Sequence, residues 1–322
     1  MIYDKWALVF NLLTVGALAF VVVNIIVSLI FWSIKSKLQD YAVSTRKSLL
    51  WLFVLAPWFI ALSVAFFFSP LFQSASTFVF LTGIAHWHHQ DIFNFMSWHG
   101  ISLLIFIAFS LTIFTKKLMI LYHSHHHIRL LRELGVVKCK QVYIIESSIP
   151  TAFTGGLINP VCFVSTGLIE QLATEELDIV IQHELAHVQY SDPLKKWLFS
   201  FFAAYFVRNI RQLLLSMMSL SMEQDADSFF VKNQQQSHKV ASTLVKFTKL
   251  AMNYSIHPQF NSEVFVHFCR HSIELRVLHL LNDKQFKSFP IAGVLIALLL
   301  LILISTTSVD SLHHVVETLF TH

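Results

Sequence analysis

Residues 183–187 read His-Glu-Leu-Ala-His. On a helix, positions i and i+4 share a face. The imidazoles of His183 and His187 can therefore hold one zinc ion, with Glu184 beside them to activate a water molecule. A catalytic zinc keeps three protein ligands and leaves one position open. The best third ligand is Glu223, in the run Met222-Glu223-Gln224-Asp225-Ala226-Asp227, the densest acid cluster of its region. Asp227, one helical turn further on, can accept the free N–H of a ligand histidine, which fixes the tautomer and strengthens the ligand. The bland alternative is a surface helix with two solvated histidines and an acidic turn in water.

These residues need elements to hold them. Thr174 can cap a helix that opens with Glu175, Glu176 and Asp178, acids suited to the positive helix end. Ile179, Val180, Ile181 and Leu185 give that helix apolar faces, and Asp192-Pro193 breaks it. Val142–Glu146 and Val161–Ser165 read as short strands of β-branched residues. Thr154-Gly155-Gly156 between them suggests a hairpin-like connection. An edge strand at Val161–Ser165, beside the zinc helix, would be available to a substrate peptide by strand addition.

The rest of the chain is membrane-like. Of 322 residues 55% are hydrophobic and only 13% charged, and mean hydropathy is +0.61. A net charge of +4 without a Lys/Arg-rich run gives no footing for nucleic acid. Three widely spaced cysteines, Cys139, Cys162 and Cys269, argue against a disulfide framework and read as buried small hydrophobes. Four stretches meet the length of about 20 apolar residues that a spanning helix needs: Trp6–Ile34, Leu49–Phe68, Trp98–Ile120 and Phe289–Thr306. Lys35, Lys37, Arg46 and Lys47 follow the first span, and the 69–97 loop has neither Lys nor Arg. Lys116, Lys117, Arg129 and Arg132 follow the third span, and Lys284 and Lys287 precede the fourth. By the positive-inside rule the N-terminus is outside and residues 121–288 are cytoplasmic.

The expected organisation is a membrane domain over 1–121, with spans at about 6–34, 49–68 and 98–120. A cytoplasmic zinc peptidase domain follows over 122–288, then a fourth span at 289–306 and a short external tail at 307–322. Trp197–Leu220 is apolar enough to suggest a fifth span. His187 and Glu223 must lie on one side of the bilayer, however, and two crossings need about 40 residues, more than separate them. A helical hairpin or bent helix lying in the interface is expected instead.

Other histidines carry less. His86, His88, His89 and His99, with Asp91, suggest a metal or pH sensor, but a polar turn at a Trp-rich interface explains them as well. His123 and His125–His127 fit the polar face of a juxtamembrane helix. His267 and His271 are spaced i, i+4 without a third ligand, and either is a candidate transition-state donor. Arg276 reads as structural, pairing with an acid near helix ends.

His183–His187, Asp192 and Glu223-x-x-Ala226-Asp227 look like the zinc peptidases whose third ligand is a downstream Glu. More narrowly, Thr151–Pro160 followed by Val161–Ser165, and Ser272-Ile273-Glu274-Leu275-Arg276-Val277 ahead of the last span, resemble the BlaR/MecR-type membrane metallopeptidases over about 120–307. The resemblance implies His183, His187 and Glu223 as zinc ligands and Glu184 as general base. It also implies a bacterial cytoplasmic (inner) membrane location and a regulatory protein target. The chain ends about 16 residues past the last span, so the family's C-terminal penicillin-sensor domain is not carried over. The fold expected is an α-helical membrane protein with four transmembrane helices and an inserted α+β, gluzincin-like zinc peptidase domain. Its function would be zinc-dependent endopeptidase action on a protein or peptide at the inner face. The nearest rival is a membrane quality-control or processing protease of the HtpX or CAAX prenyl protease type. A rival of another class is a non-catalytic receptor that uses zinc only to hold its fold.

Overall fold

The structure, a computed structural model, describes residues 1–75, 92–139, 141–229, 231, 234–254, 263–281 and 286–320. The first long helix, α1 (Asp4–Ile34), is followed by a 3-10 turn and α2 (Val43–Phe67). A short α3 (Pro70–Ala75) ends that pair. Strand β1 (Ile2–Tyr3) pairs antiparallel with β2 (Ile92–Phe93). Helix α4 (Trp98–Leu134) then leads to a small sheet of β3 (Val136–Cys139), β4 (Val142–Ile145), β5 (Ala152–Gly155) and β6 (Val161–Ser165). Among the described residues seven helices follow: α5 (Thr166–Gln171), α6 (Thr174–Tyr190), α7 (Asp192–Ala203), α8 (Arg208–Ser228), α9 (Gln234–Tyr254), α10 (Glu263–Leu281) and α11 (Ile291–Phe320).

Among the described residues four helical stretches are long and apolar enough to cross a membrane, within Asp4–Asp40, Val43–Phe67, Trp98–Leu134 and Ile291–Leu312. This marks an integral membrane protein, and the four expected spans fall on these helices. Two boundaries differ from expectation. The third span runs on without a break to Leu134, so the 121/122 boundary lies inside one helix. Residues 307–320, expected as a tail, continue α11. In both places no Pro or Gly interrupts the helix, so backbone hydrogen bonding carries it past the end of the apolar run.

Trp197–Leu220 forms a hairpin of α7 and α8, but it does not lie flat. Phe199, Ala203, Ile210, Leu214 and Met218 are buried in one apolar core with α1 and α2. At its tip the Tyr205 ring lies 4.9 Å from Trp58, 5.4 Å from Phe20 and 5.9 Å from Phe109. Those three sit near the middle of their spans, so the hairpin packs lengthwise along the bundle. Both arms carry apolar residues on the bundle-facing side, and burying such side chains stabilises by about 1.5–3 kcal/mol each in aqueous terms. Arg208, at the tip, stays exposed.

The sheet order is β3-β4-β6-β5, with β4 and β6 parallel and β5 antiparallel to β6. The expected hairpin between 142–146 and 161–165 is thus corrected. Residues 152–155 are themselves a strand, and the turn lies beyond them at Gly156–Pro160. Gly156 has φ +101°, and a Cβ there would meet the Asn159 carbonyl oxygen at 2.9 Å. Val161–Ser165 is not an edge but a central strand, buried at every residue. Its unbroken apolar run fits burial on both faces. The edge beside α6 is β5. Helix α6 begins at Thr174 rather than being capped by it, and the Glu176 carboxylate accepts from the Ala173 backbone N–H at 2.9 Å instead. Cys162 is buried as expected, but Cys139 is exposed, because β3 is the opposite sheet edge.

Candidate metal centre

Three helices converge on one point. From α6, His183 and His187 present rings whose centroids are 4.9 Å apart. From α8, Glu223 reaches both: its carboxylate oxygens lie 3.4 Å from His183 Nε2 and 3.7 Å from His187 Nε2. One ligand atom from each of the three residues lies within 4.8 Å of the others, the grouping among the described residues that could hold a metal ion. A tetrahedral zinc about 2.0–2.1 Å from each ligand would set the ligand atoms roughly 3.3–3.5 Å apart. The residues present fit that ion in both chemistry and spacing.

The other ring nitrogens are also engaged. His183 Nδ1 is 3.0 Å from Asp227 Oδ1, and His187 Nδ1 is 2.7 Å from Asp192 Oδ2. Each Nδ1 can donate to its carboxylate, which leaves both Nε2 lone pairs facing Glu223. Asp227 is brought to the place that its spacing suggested. Asp192 was read only as part of a helix break and a family pattern. A residue-level signal existed: a histidine that holds a metal wants an acceptor for its other N–H, and Asp192 stands five positions after His187. What brings it back is Ser191, whose backbone is left-handed at φ 53°. Such a conformation costs a non-glycine residue of order 1–3 kcal/mol, and here it folds the start of α7 against His187.

From α10, Arg276 Nε and Nη2 donate to the two oxygens of Asp227 at 2.7 and 2.6 Å, and Nη1 lies 3.3 Å from Glu223. The expected structural pairing with an acid is seen, and it is inside the site. Lys196 on α7 adds a 3.4 Å contact to Glu223. Burial opposes the charge on His183, His187 and Glu223, and their partners outweigh it. His183 is raised to about 10 against burial by Asp227 and Glu223. His187 is raised against burial by Asp192 and Glu223. Glu223 is held well below the usual carboxylate range, against burial, by the two histidines and Arg276.

Glu184 lies on the same helix turn. The Thr154 hydroxyl on β5 is 2.7 Å from its carboxylate and 2.8 Å from its backbone carbonyl. By sequence Thr154 reads as part of a turn and of the stretch that carries the family resemblance, with no contact to Glu184 expected. His183, Glu184, Glu223 and Arg276 line a cavity of about 520 Å³ between α6 and α9. Helix α9 is held across it by Lys239–Glu175 and Lys246–Glu176. The spans also touch the site: Arg46 on α2 bonds Gln224, Lys47 bonds Asp225, and Gln224 donates to the Leu275 carbonyl at 3.1 Å. Two of the cations that mark topology in the sequence, Arg46 and Lys47, thus anchor the helix carrying Glu223.

Other sequence candidates are not brought here. His123 and His125–His127 are exposed on the far part of α4. His99 stacks near Trp98 at 3.9 Å. His86, His88, His89 and Asp91, and the side chains of His267 and His271, lie outside the described residues.

Comparison with known proteins points the same way. Residues 122–267 match the family model of Peptidase family M48. Over 69 residues the chain is 41% identical to a Protease HtpX homolog of Thermodesulfovibrio yellowstonii, covering 21% of this chain and 24% of that protein. Over 81 residues it is 38% identical to a Protease HtpX homolog of Moorella thermoacetica, covering 24% and 27%. Protease HtpX of Legionella pneumophila is 45% identical over 56 residues, 17% and 20% of the two chains. The chain thus spans about a quarter of the length of these curated relatives. No solved structure matches it. The M48 match covers the segment that holds His183, Glu184, His187 and Glu223, so this part of the protein is similar to a family of peptidases.

Proposed function

We propose that this protein is a membrane-embedded, zinc-dependent endopeptidase that hydrolyses peptide bonds of a protein substrate at the cytoplasmic face of a bacterial inner membrane. The observation that carries the reading is the convergence of His183 Nε2, His187 Nε2 and Glu223 within 4.8 Å, next to Glu184 and a cavity. Zinc held there would polarise the scissile carbonyl and make water acidic enough to attack near neutral pH. Asp227 and Asp192 orient the two imidazoles. Arg276 balances the buried charge of Asp227 and Glu223. Glu184, positioned by Thr154, takes the proton of the attacking water and delivers it to the leaving amine. The substrate adds as a strand along β5, the edge beside α6, rather than along Val161–Ser165.

Placement of the domain inside follows from the Lys and Arg of the 35–47 loop and of the α4 extension. Two readings of the substrate stand. The HtpX relatives favour membrane-protein quality control. The Thr151–Ser165 and Ser272–Val277 stretches, with their BlaR/MecR-type resemblance, favour cleavage of one regulator. Comparing membrane and cytosolic proteomes of wild-type and Glu184→Gln cells tests both. Many stabilised membrane proteins point to quality control, and one stabilised regulator points to signalling. Unchanged proteomes, with purified wild type inactive on peptides, would remove the peptidase reading altogether.

A further inference from the structure

A second cavity, of about 920 Å³, lies away from the metal centre, between the far part of α4, the Gly156–Asn159 turn and the start of α7. Leu118, Leu121, Leu194 and Ile158 supply apolar wall, and His125, Arg129 and Arg132 also line it. A groove of this make-up suits a molecule that is a hydrocarbon chain at one end and an anion at the other.

Its height is set by α4. The apolar run of that helix ends near Ile120, so Leu118 and Leu121 sit at the edge of the hydrocarbon layer. Arg129 follows Leu121 by eight residues, about 12 Å along the axis. Helical side chains lean toward the N-terminus, which here is the membrane end. A long arginine on this face therefore brings its guanidinium back toward headgroup height. Trp197 sits across the groove on α7.

Two wall donors are buried without an acceptor among the described residues, Trp197 Nε1 and Arg132 Nε. An unmatched buried donor is costly. Nη2 of the same Arg132 guanidinium donates to the Asn159 carbonyl. Arg129 has one partner, Glu133 at 3.0 Å, with both side chains exposed. An exposed pair of that kind is weak and yields readily to a phosphate.

We propose that this groove binds one anionic phospholipid of the adjoining leaflet. Its phosphate sits on Arg129 and Arg132 with His125 at hand, and an acyl chain lies along Leu118, Leu121 and Leu194. The Trp197 indole N–H serves the ester region, the usual place for an interfacial Trp. The lipid fills the space between the third span and the Gly156–Asn159 turn, next to the β5 edge. It thereby ties the peptidase region to the membrane surface by a contact separate from the metal centre.

The test uses the full-length protein reconstituted in nanodiscs of phosphatidylcholine with a minority of phosphatidylglycerol, then extracted and read by native mass spectrometry for retained lipid. Wild type should keep one phosphatidylglycerol per chain in preference to phosphatidylcholine. Arg129→Ala should lose it by roughly five-fold, the weight of one basic contact near a charged leaflet. Ile158→Asp, at a position 87% exposed and so tolerant in folding, should lose it as well by opposing the acyl chain. Zinc content and thermal stability report that each variant is folded. Equal retention of phosphatidylglycerol in wild type and both variants would overturn the site. So would equal retention of the two lipids by wild type. A third overturning result is a rise in peptide KM in the variants with lipid retention unchanged, which would assign the groove to substrate. The lipid-retention readouts stand apart from the peptidase reading, since Glu184→Gln protein should retain the lipid equally; only the KM comparison rests on that reading.

Discussion

Helix α8 passes through two regions built on opposite principles. Along Ile210, Leu214, Met218 and Met222 it buries apolar side chains against α1 and α2. From the very next residue on, half-buried Glu223 and buried Asp227 lie among two histidines and an arginine. In the apolar region contacts are many, interchangeable and individually small. In the candidate metal centre each group is there because a specific partner balances it. Removing one member of a buried ionic set leaves the others uncompensated, whereas trimming one apolar side chain leaves a cavity that neighbours partly fill. Chemistry is possible in the second region because its charges are held by partners rather than by water.

Substitutions can sharpen or break this contrast. The largest effect is expected from Glu184→Gln, which alters neither packing nor ligands. Turnover should fall by about 10²–10⁴-fold, the usual weight of a general base, with metal content unchanged by elemental analysis. Persisting activity would end the mechanism proposed. Arg276→Met should destabilise the zinc-free protein by about 3–5 kcal/mol, read by denaturation in mild detergent. Added zinc should recover part of this, because it neutralises Glu223 but not Asp227. An equal loss with and without zinc would place Arg276 among ordinary packing residues. Leu214→Ala, fully buried in the apolar region, should cost less, about 2 kcal/mol. That is the low end for such changes, since lipid is as apolar as the side chain removed. Zinc should not change this figure.

Smaller and signed is the pH response. In zinc-free protein His183 is raised from its ordinary value to about 10, so its folded pKa exceeds the unfolded one. The stability it contributes is fully present below about pH 6.5 and is lost as pH rises through about 10. Denaturation across that window should show stability falling, and Asp227→Asn should flatten the slope. Zinc binding should run the opposite way, strengthening as pH rises, because the ion takes the nitrogen that the proton would hold. The smallest effect is expected at Lys246→Ala. Its pair with Glu176 is exposed and salt-screened, so the thermal midpoint in high salt should match wild type.

Legibility followed locality. His183 and His187 share a helix face by spacing alone, and Asp227 stands one turn after Glu223, so these pairings could be read before any fold was known. The four spans were equally visible, because a long apolar run has few other uses. The β5 strand was not. Its four residues end on Thr154 and Gly155, in a Gly-Gly context that reads as a turn, and only pairing with Val161–Ser165 makes it a strand. Thr154 was missed with it. Asp192 was missed as a partner of His187 because its approach depends on the left-handed Ser191, a backbone state that nothing in the residue type announces. Arg276 was read as a structural partner of some acid, but not as part of the site.

What the residues determined by themselves was the chemistry on offer and the presence of a membrane. Ligand type, helical periodicity and apolar length act over a few turns of chain and need no distant partner. What only the tertiary structure decided was convergence: which carboxylate serves which imidazole, which strand is the edge, and how deep the hairpin sits against the spans. Those depend on contacts between residues far apart in sequence, where the energy of meeting comes from burial and charge balance that no local pattern encodes.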